Sequence, residues 1–455
     1  MKACVFTSIW ASIRRASICV PVCLVAAPLV AQDLPAFVNT QLPGLVETYK
    51  GIHAHPELSH HEEKTSALLA EELRKAGYAV TEHVGKYPDG SQAFGVVAIL
   101  KNGEGPTLLI RTDLDALPVV EETGVPYAST VKTKDAAGEE VGVMHACGHD
   151  VHITTMIGVA RALAAQKSQW HGTAMLIGQP SEETIDGAKA MLADHLYERF
   201  GTPTMAVALH DSNTLAAGTV SVTSGASMAS STSVDVLIRG IGGHGAAPQL
   251  AKDPVVMAAE FIVQLQTIVS RQQSPQDPAV VTVGHIEGGT KRNIIPNQVK
   301  LELTTRAFSD RARQITLDGI RNTAKGVAVS AGVPDNLFPI VTVLDDESTP
   351  VNYNNPALDD RVKAALVQAL GEKNVLEEPP VMGSEDFGVF GLPGHKIPTV
   401  MFRLGAMEPT KFAAATAAGT QLPGPHNSRF QPDPEPTLRT GVIAMTSVAI
   451  ALLQK

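Results

Sequence analysis

The sequence predicts an α/β fold whose main sheet domain is interrupted by a ferredoxin-like α+β insert, and three observations carry that prediction. Between residues 93 and 209, the segments Ala93–Leu100, Thr107–Ile110, Thr173–Gly178 and Met205–Leu209 are near-continuous apolar runs, the mark of strands covered on both faces. From about Ser227 the pattern changes to alternation: Val234, Val236 and Ile238 share one strand face. Further strands at 279–286, 298–306 and near 338–344, with helices after Asp253 and at about 309–331, complete a β-α-β-β-α-β order. From about residue 350 the first pattern returns, with a helix at about 357–370, a strand Thr399–Leu404, a glycine- and alanine-rich loop over 405–424 and a final amphipathic helix from about Pro436. The expected plan is a main domain over 32–226 and 338–455 and an insert over 227–337. With 455 residues, 44% of them hydrophobic, the chain is long enough for two or three domains.

Residues 1–31 stand apart. Lys2, Arg14 and Arg15 precede an apolar run from Ala16 to Ala31, and no acidic residue occurs before Asp33. This reads as an export leader cleaved near Ala31, which leaves no membrane anchor after processing and places the protein in the periplasm or outside the cell. The run holds two prolines and falls short of a spanning helix. Loss of the three cations takes the net charge from −10 to −13, which argues against nucleic acid as a partner. Cys4, Cys19 and Cys23 leave with the segment, so Cys147 alone remains. A solitary thiol in an oxidising compartment is either well buried or held by a metal.

Taken in order, the main domain opens on His53-Ala54-His55-Pro56, whose histidines read as hydrogen-bonded turn residues because no carboxylate or cysteine accompanies them at ligand spacing. A helix over Glu62–Lys75 is closed by Gly77. The strand at 107–110 delivers Arg111-Thr112-Asp113-Leu114-Asp115 at its C-terminal end, where open α/β sheets place their sites. Asp113 and Asp115 fall on one side of an extended segment, and either could orient a metal-ligating histidine. His145-Ala146-Cys147-Gly148-His149-Asp150 then opens a helix, and the glycine lets the Cys147 thiolate and the His149 imidazole converge on one point. Glu182 and Glu183 end the next strand. Adjacent carboxylates beside an apolar run are costly without a balancing positive charge, so one reads as a ligand and the other as a general base. Met205–Leu209 ends in another candidate ligand, His210. In the insert, Val299, Leu301 and Leu303 face one way and Lys300, Glu302, Thr304 and Arg306 the other, so Arg306 lies on a polar sheet face where it can meet an anion.

With these pieces laid out, the chain resembles the metal-dependent amidohydrolase and carboxypeptidase family that includes hippurate hydrolases and auxin–amino-acid conjugate hydrolases. The match runs from about residue 45 to the end. Besides the stretches at 53–59, 111–118, 144–150 and 179–183, it rests on Gly243-His244-x-Ala246-Ala247-Pro248, Asn293-x-Ile295-Pro296 and Met382-Gly383-Ser384-Glu385-Asp386-Phe387. The resemblance implies a zinc-peptidase-like catalytic domain with the ferredoxin-like insert as lid and dimer contact. It also implies two divalent metal ions (Zn, Mn, Co or Ni) held by Cys147, His149, Glu183, His210 and His426, with the cysteine bridging. Glu182 matches the general base. His244, Asn293 and Arg306 match lid residues that bind the scissile carbonyl and the substrate carboxylate, the histidine often reaching across a homodimer. Two features depart from the family pattern: Pro425-His426-Asn427-Ser428 stands where Leu-His-Ser-Pro is usual, and Arg111 stands where carboxypeptidase relatives carry a ligating histidine.

The expected activity is therefore hydrolysis of N-acyl amino acids, small substrates with a free carboxylate, with Glu182, Asp113 and His244 in catalytic roles and Asp113 holding the ring of a ligating histidine. A dipeptidase or carboxypeptidase on the same scaffold differs in whether a free α-amino group is required. A periplasmic solute-binding protein, a third alternative, would have no use for Glu182-Glu183 beside a thiolate.

Overall fold

The computed structural model describes residues 33–134 and 138–454, together with residues 1, 3–5 and 7. The expected leader therefore lies almost wholly outside the described residues. Residues 32–455 form one compact unit. It begins with α1 (Leu34–His53), α2 (Glu63–Lys75), β1 (Ala79–Lys86), β2 (Gln92–Asn102) and β3 (Thr107–Asp113). Next come α3 (His149–Ala165), β4 (Gly172–Gln179), β5 (Met205–Ala216) and β6 (Val220–Val222). The insert contributes β7 (Ser230–Arg239), α4 (Pro254–Thr267), β8 (Ala279–Gly288), β9 (Gln298–Ala307), α5 (Asp310–Ser330) and β10 (Ile340–Thr349). The chain ends with α6 (Pro356–Leu370), β11 (Val375–Glu377), β12 (Thr399–Met407), α7 (Pro409–Ala417) and α8 (Pro434–Leu453).

The main sheet has the order β1-β2-β4-β3-β5-β12-β6-β11, and its centre, β4-β3-β5-β12, is parallel. Both faces are covered, as the apolar runs require. Leu108 and Ile110 of β3 join a core with α1, α3 and α8, whereas Leu109 between them joins an opposite core with Met191, Ile397 and Met401. The second sheet has the order β8-β9-β7-β10, all antiparallel. Helices α4 and α5 cover one of its faces through Phe261, Leu265, Ile320 and Val327, packed on Val234, Val236, Leu301 and Leu303. Asp253 Oδ1 accepts the Val255 N–H at 2.8 Å and caps α4. Its edge strand β10 lies beyond residue 337, so this sheet closes only near Thr349.

Several elements differ from expectation. Helix α1 and strand β1 were not foreseen. Strand β5 runs on past Leu209 to Ala216, so His210 sits within it, paired with Arg403 of β12. Part of the loop expected over 405–424 is α7, capped by Glu408, whose carboxylate accepts the Thr410 and Lys411 N–H groups at 2.9 and 2.7 Å. Finally, α8 is not amphipathic: even Thr437, Thr440 and Thr446 are buried, because α1, α3 and α6 pack around it. Its length and composition would suit a membrane span, but its apolar residues belong to the main core.

A buried guanidinium ties the sheet to the acidic turn at 385–386. Arg111 donates from Nη1 to Asp113 Oδ2 (2.7 Å), from Nη2 to Glu385 Oε1 (2.8 Å) and Asp386 Oδ1 (3.1 Å), and from Nε to Gln179 Oε1 (2.9 Å). None of these ionic side chains is more than 1% exposed, so removing the cation strands three carboxylates in the interior. Arg111→Met is therefore expected to lower unfolding free energy by about 3–5 kcal/mol. Urea denaturation of the two proteins checks this, and a loss under about 1 kcal/mol, the scale of an exposed pair, contradicts it.

Candidate metal centre

The motif loop turns on Gly148, which caps α3 at φ +77°. A Cβ there would lie 2.2 Å from Asp211 Oδ2, so only glycine fits. The turn brings Cys147 and His149 against the neighbouring strand, with Cys147 Sγ 3.6 Å from His210 Nε2. Both imidazoles are held by backbone: His149 Nδ1–H donates to the Asp115 carbonyl (2.8 Å) and His210 Nδ1–H to the Asp211 carbonyl (2.7 Å). That fixes the tautomer in which each Nε2 carries a lone pair toward the site. Glu183 Oε1 lies 3.9 Å from His149 Nε2 and Glu183 Oε2 lies 3.4 Å from His426 Nε2. The His426 loop is fastened to the motif by its N–H, which donates to the Ala146 carbonyl at 2.7 Å.

Two groupings of these donors share the sulfur, Cys147 with His149 and His210, and Cys147 with Glu183 and His426, and a further one joins His149 to Glu182 and Glu183. Within each set the ligand atoms lie within 4.8 Å of one another. His149 Nε2 and Glu183 Oε1 are buried without a hydrogen-bond partner. Orphaned buried donors of this kind, with a thiol and imidazoles, fit a pair of borderline divalent ions. The electrostatics agree. Burial, with Glu183 nearby, pushes the Cys147 thiol well above its ordinary range, so a thiolate there needs a cation beside it. Burial also pushes Glu183 up to about 7. Glu182 rises well above the usual carboxylate range through burial and the charges of Glu385 and Glu183. Its Oε2 is 3.9 Å from His149 Nε2, so it borders the donor set.

Asp113 is not where it was expected. It accepts from His152 Nδ1 (2.7 Å) and Arg111, and lies 3.7 Å from His149 Nε2. The ring of His149 is held instead by Asp115, whose carbonyl accepts from it and whose Oδ1 lies 3.3 Å away. The reason is that β3 ends at Asp113, so the same-side rule for alternate residues stops there. Asp115 also accepts from Ser59 Oγ (2.6 Å) and the Glu183 N–H (2.9 Å), which anchors the glutamate turn. His152, not singled out in the sequence, sits behind the centre: the Asp211 N–H donates to its Nε2 at 2.9 Å. His53 pairs with Asp150 (2.6 Å) and Glu121 (3.0 Å), and His55 bonds the Gly51 carbonyl. Both are hydrogen-bonded, but His53 ends helix α1 rather than lying in a turn, and its partners are carboxylates distant in sequence.

Of the three lid residues, one reaches the site. Arg306 lines the cavity of about 540 Å³ that also exposes Cys147, Glu182, Glu183, His210 and His426. Its Nη1 donates to Ser231 Oγ (2.6 Å) and the Thr305 carbonyl (3.1 Å), and among the described residues it meets no carboxylate. His244 and Asn293 are exposed and lie close together at a separate two-stranded ladder, His244 within it and Asn293 just ahead of its strand Ile294–Ile295, where the Gly245 N–H donates to the Asn293 carbonyl at 2.9 Å. Neither lines this cavity.

Comparison with known proteins agrees with this geometry. Residues 109–445 match the model for peptidase family M20/M25/M40. A hippurate hydrolase from Campylobacter jejuni is 37% identical over 341 residues, 74% of this chain and 82% of that protein. The Arabidopsis thaliana protein IAA-amino acid hydrolase ILR1-like 5 is 34% identical over 77% of this chain and 76% of its own. The crystal structure of the YXEP protein of Bacillus subtilis, described as a dinuclear metal-binding peptidase of the M20 family, superposes with a TM-score of 0.71 at 27% identity, covering 92% of this chain and 99% of that one. The chain belongs to peptidase family M20/M25/M40, and it is a metal-dependent hydrolase of amide bonds.

Proposed function

We propose that this protein is an exported hydrolase of N-acyl amino acids that releases a carboxylic acid and a free amino acid. The observation that carries the reading is Arg306, a guanidinium that meets no carboxylate among the described residues, on the lining of the cavity that holds the donor sets. Arg306 receives the substrate's carboxylate there. With two divalent ions bound by Cys147, His149, Glu183, His210 and His426, the centre supplies Lewis-acid polarisation of the amide carbonyl and an acidified water. The thiolate and imidazoles favour zinc, and the same donors admit manganese, cobalt or nickel. Glu182 takes the proton of the attacking water and passes it to the leaving nitrogen, a task suited to a carboxyl already pushed upward by its surroundings. His244 and Asn293, exposed in one copy, serve the site of a second copy in a homodimer, where His244 donates to the oxyanion. Export rests on the Lys/Arg-led apolar segment over 1–31.

Three outcomes follow. Glu182→Gln removes a proton acceptor and no ligand, so kcat falls by about 10²–10⁴ while metal content, read by elemental analysis, stays at the wild-type level. Retention of more than about a hundredth of the wild-type rate rules out the general-base role.

Cys147 resists alkylation in the metal-loaded protein and reacts after chelation, as mass spectrometry of labelled peptides would report. Equal labelling in the two states removes it from the metal site.

An N-acyl amino acid is cleaved well and its carboxamide analogue poorly, and Arg306→Ala lowers kcat/KM for the acid by roughly 10- to 150-fold, the worth of a hydrogen bond to a charged group, with little effect on the amide. If acid and amide fall equally, the arginine is structural and the carboxylate sits elsewhere.

A further inference from the structure

The cavity lining carries a second arginine, on β12 of the main sheet. Arg403 is the one charged residue of β12, with Phe402 and Leu404 on either side buried in the main core. It pairs in register with His210 of β5 on one flank and Ser221 of β6 on the other, so its side chain shares a sheet face with a metal-donor histidine. The cavity that exposes Cys147, Glu182 and Arg306 also exposes Arg403.

Arg403 is half-buried, yet its guanidinium makes no hydrogen bond or ion pair among the described residues. Glu378 is the carboxylate whose charge bears on it, but that group is engaged elsewhere. Its Oε1 accepts from Thr214 Oγ1 (2.9 Å) and its Oε2 from Ser221 Oγ (2.6 Å). A guanidinium taken partly out of water, beside a centre built for cations, is costly unless an anion joins it. Its five donors in a rigid fork match a carboxylate. Arg306 has the same character on the insert side, so one cavity offers two receptors for anions.

We propose that Arg403 is a second carboxylate receptor and that the preferred substrates are N-acyl amino acids carrying two carboxylates, one for Arg306 and one for Arg403. This rests on the amidohydrolase reading above. The second carboxylate belongs either to the amino-acid side chain or to the far end of the acyl group, and matched substrates separate these sources.

The test compares kcat/KM of the metal-loaded enzyme for N-benzoylglutamate against N-benzoylglutamine, and for N-(4-carboxybenzoyl)glycine against its 4-carbamoyl isostere. In the wild type, at least one diacid is preferred over its neutral isostere by roughly tenfold or more. The preference collapses to within about threefold in Arg403→Met and is partly kept in Arg403→Lys, which retains the charge and controls for misfolding. The pair that shows it names the source. The same four compounds are titrated calorimetrically into Glu182→Gln and into Glu182→Gln combined with Arg403→Met, which reads the preference without turnover. No preference in either pair, or a preference unchanged by Arg403→Met, overturns the proposal and leaves Arg403 a merely solvated residue. If none of the compounds is cleaved but the Arg403-dependent binding preference is present, the receptor stands and the amidohydrolase reading falls.

Discussion

The interior of this protein is organised around the Arg111 guanidinium. It occupies the C-terminal end of a central parallel strand and satisfies Asp113, Glu385, Asp386 and Gln179 together. Without it the carboxylates behind the metal centre would repel one another and shed their charge by taking protons. With it, burial notwithstanding, Asp113 is held well below the usual carboxylate range by His149, His152 and Arg111. Asp113 then fixes His152, His152 receives the Asp211 amide, and Asp211 packs against Gly148. A chain of hydrogen bonds and one steric contact thus runs from a sheet cation to the loop that bears Cys147 and His149.

Arg403 pairs in register with the donor histidine His210, whereas Arg306 reaches the same cavity from β9 of the insert. Two guanidinium groups on the lining draw the anionic groups of a substrate toward the cavity. The apolar side chains Ile185, Met228 and Val381 complete the lining and give an acyl group somewhere dry to lie.

Much of this was legible in the residues, and the exceptions have physical causes. The ferredoxin-like order was visible because its strands alternate, with one face on helices and one on solvent, whereas the main-sheet strands were visible as unbroken apolar runs. Helix α1 was missed because Pro43 interrupts its stripe of Val38, Leu42, Leu45, Tyr49 and Ile52. The continuation of β5 was missed because Asp211-Ser212-Asn213-Thr214 has the composition of a turn, and only its pairing with β12 keeps it extended. Helix α7 looked like a loop because glycines stand on both sides of its alanine run, at Gly405 and Gly419, although Glu408 ahead of Pro409 is a readable cap. In the site, the five donors lie within reach of one another; Cys147, His149, His210 and the Glu182-Glu183 pair stood out by local chemistry, whereas His426 and the choice of Glu183 as the ligand came only from the family resemblance. The split of duties between Asp113 and Asp115 was not readable, because it depends on where the strand stops. Arg403 was passed over because a single charge inside an apolar strand carries no periodicity.

The two donor sets are unequal in their access to water. His149 is fully buried, whereas the His426 side chain is 59% exposed and rests on a loop whose backbone is left-handed at that residue (φ +65°). Cys147 and His210 of the first set also line the cavity, so the two sets differ in degree: with divalent ions bound, the His426 corner would be the side of the centre most open to exchange with the medium.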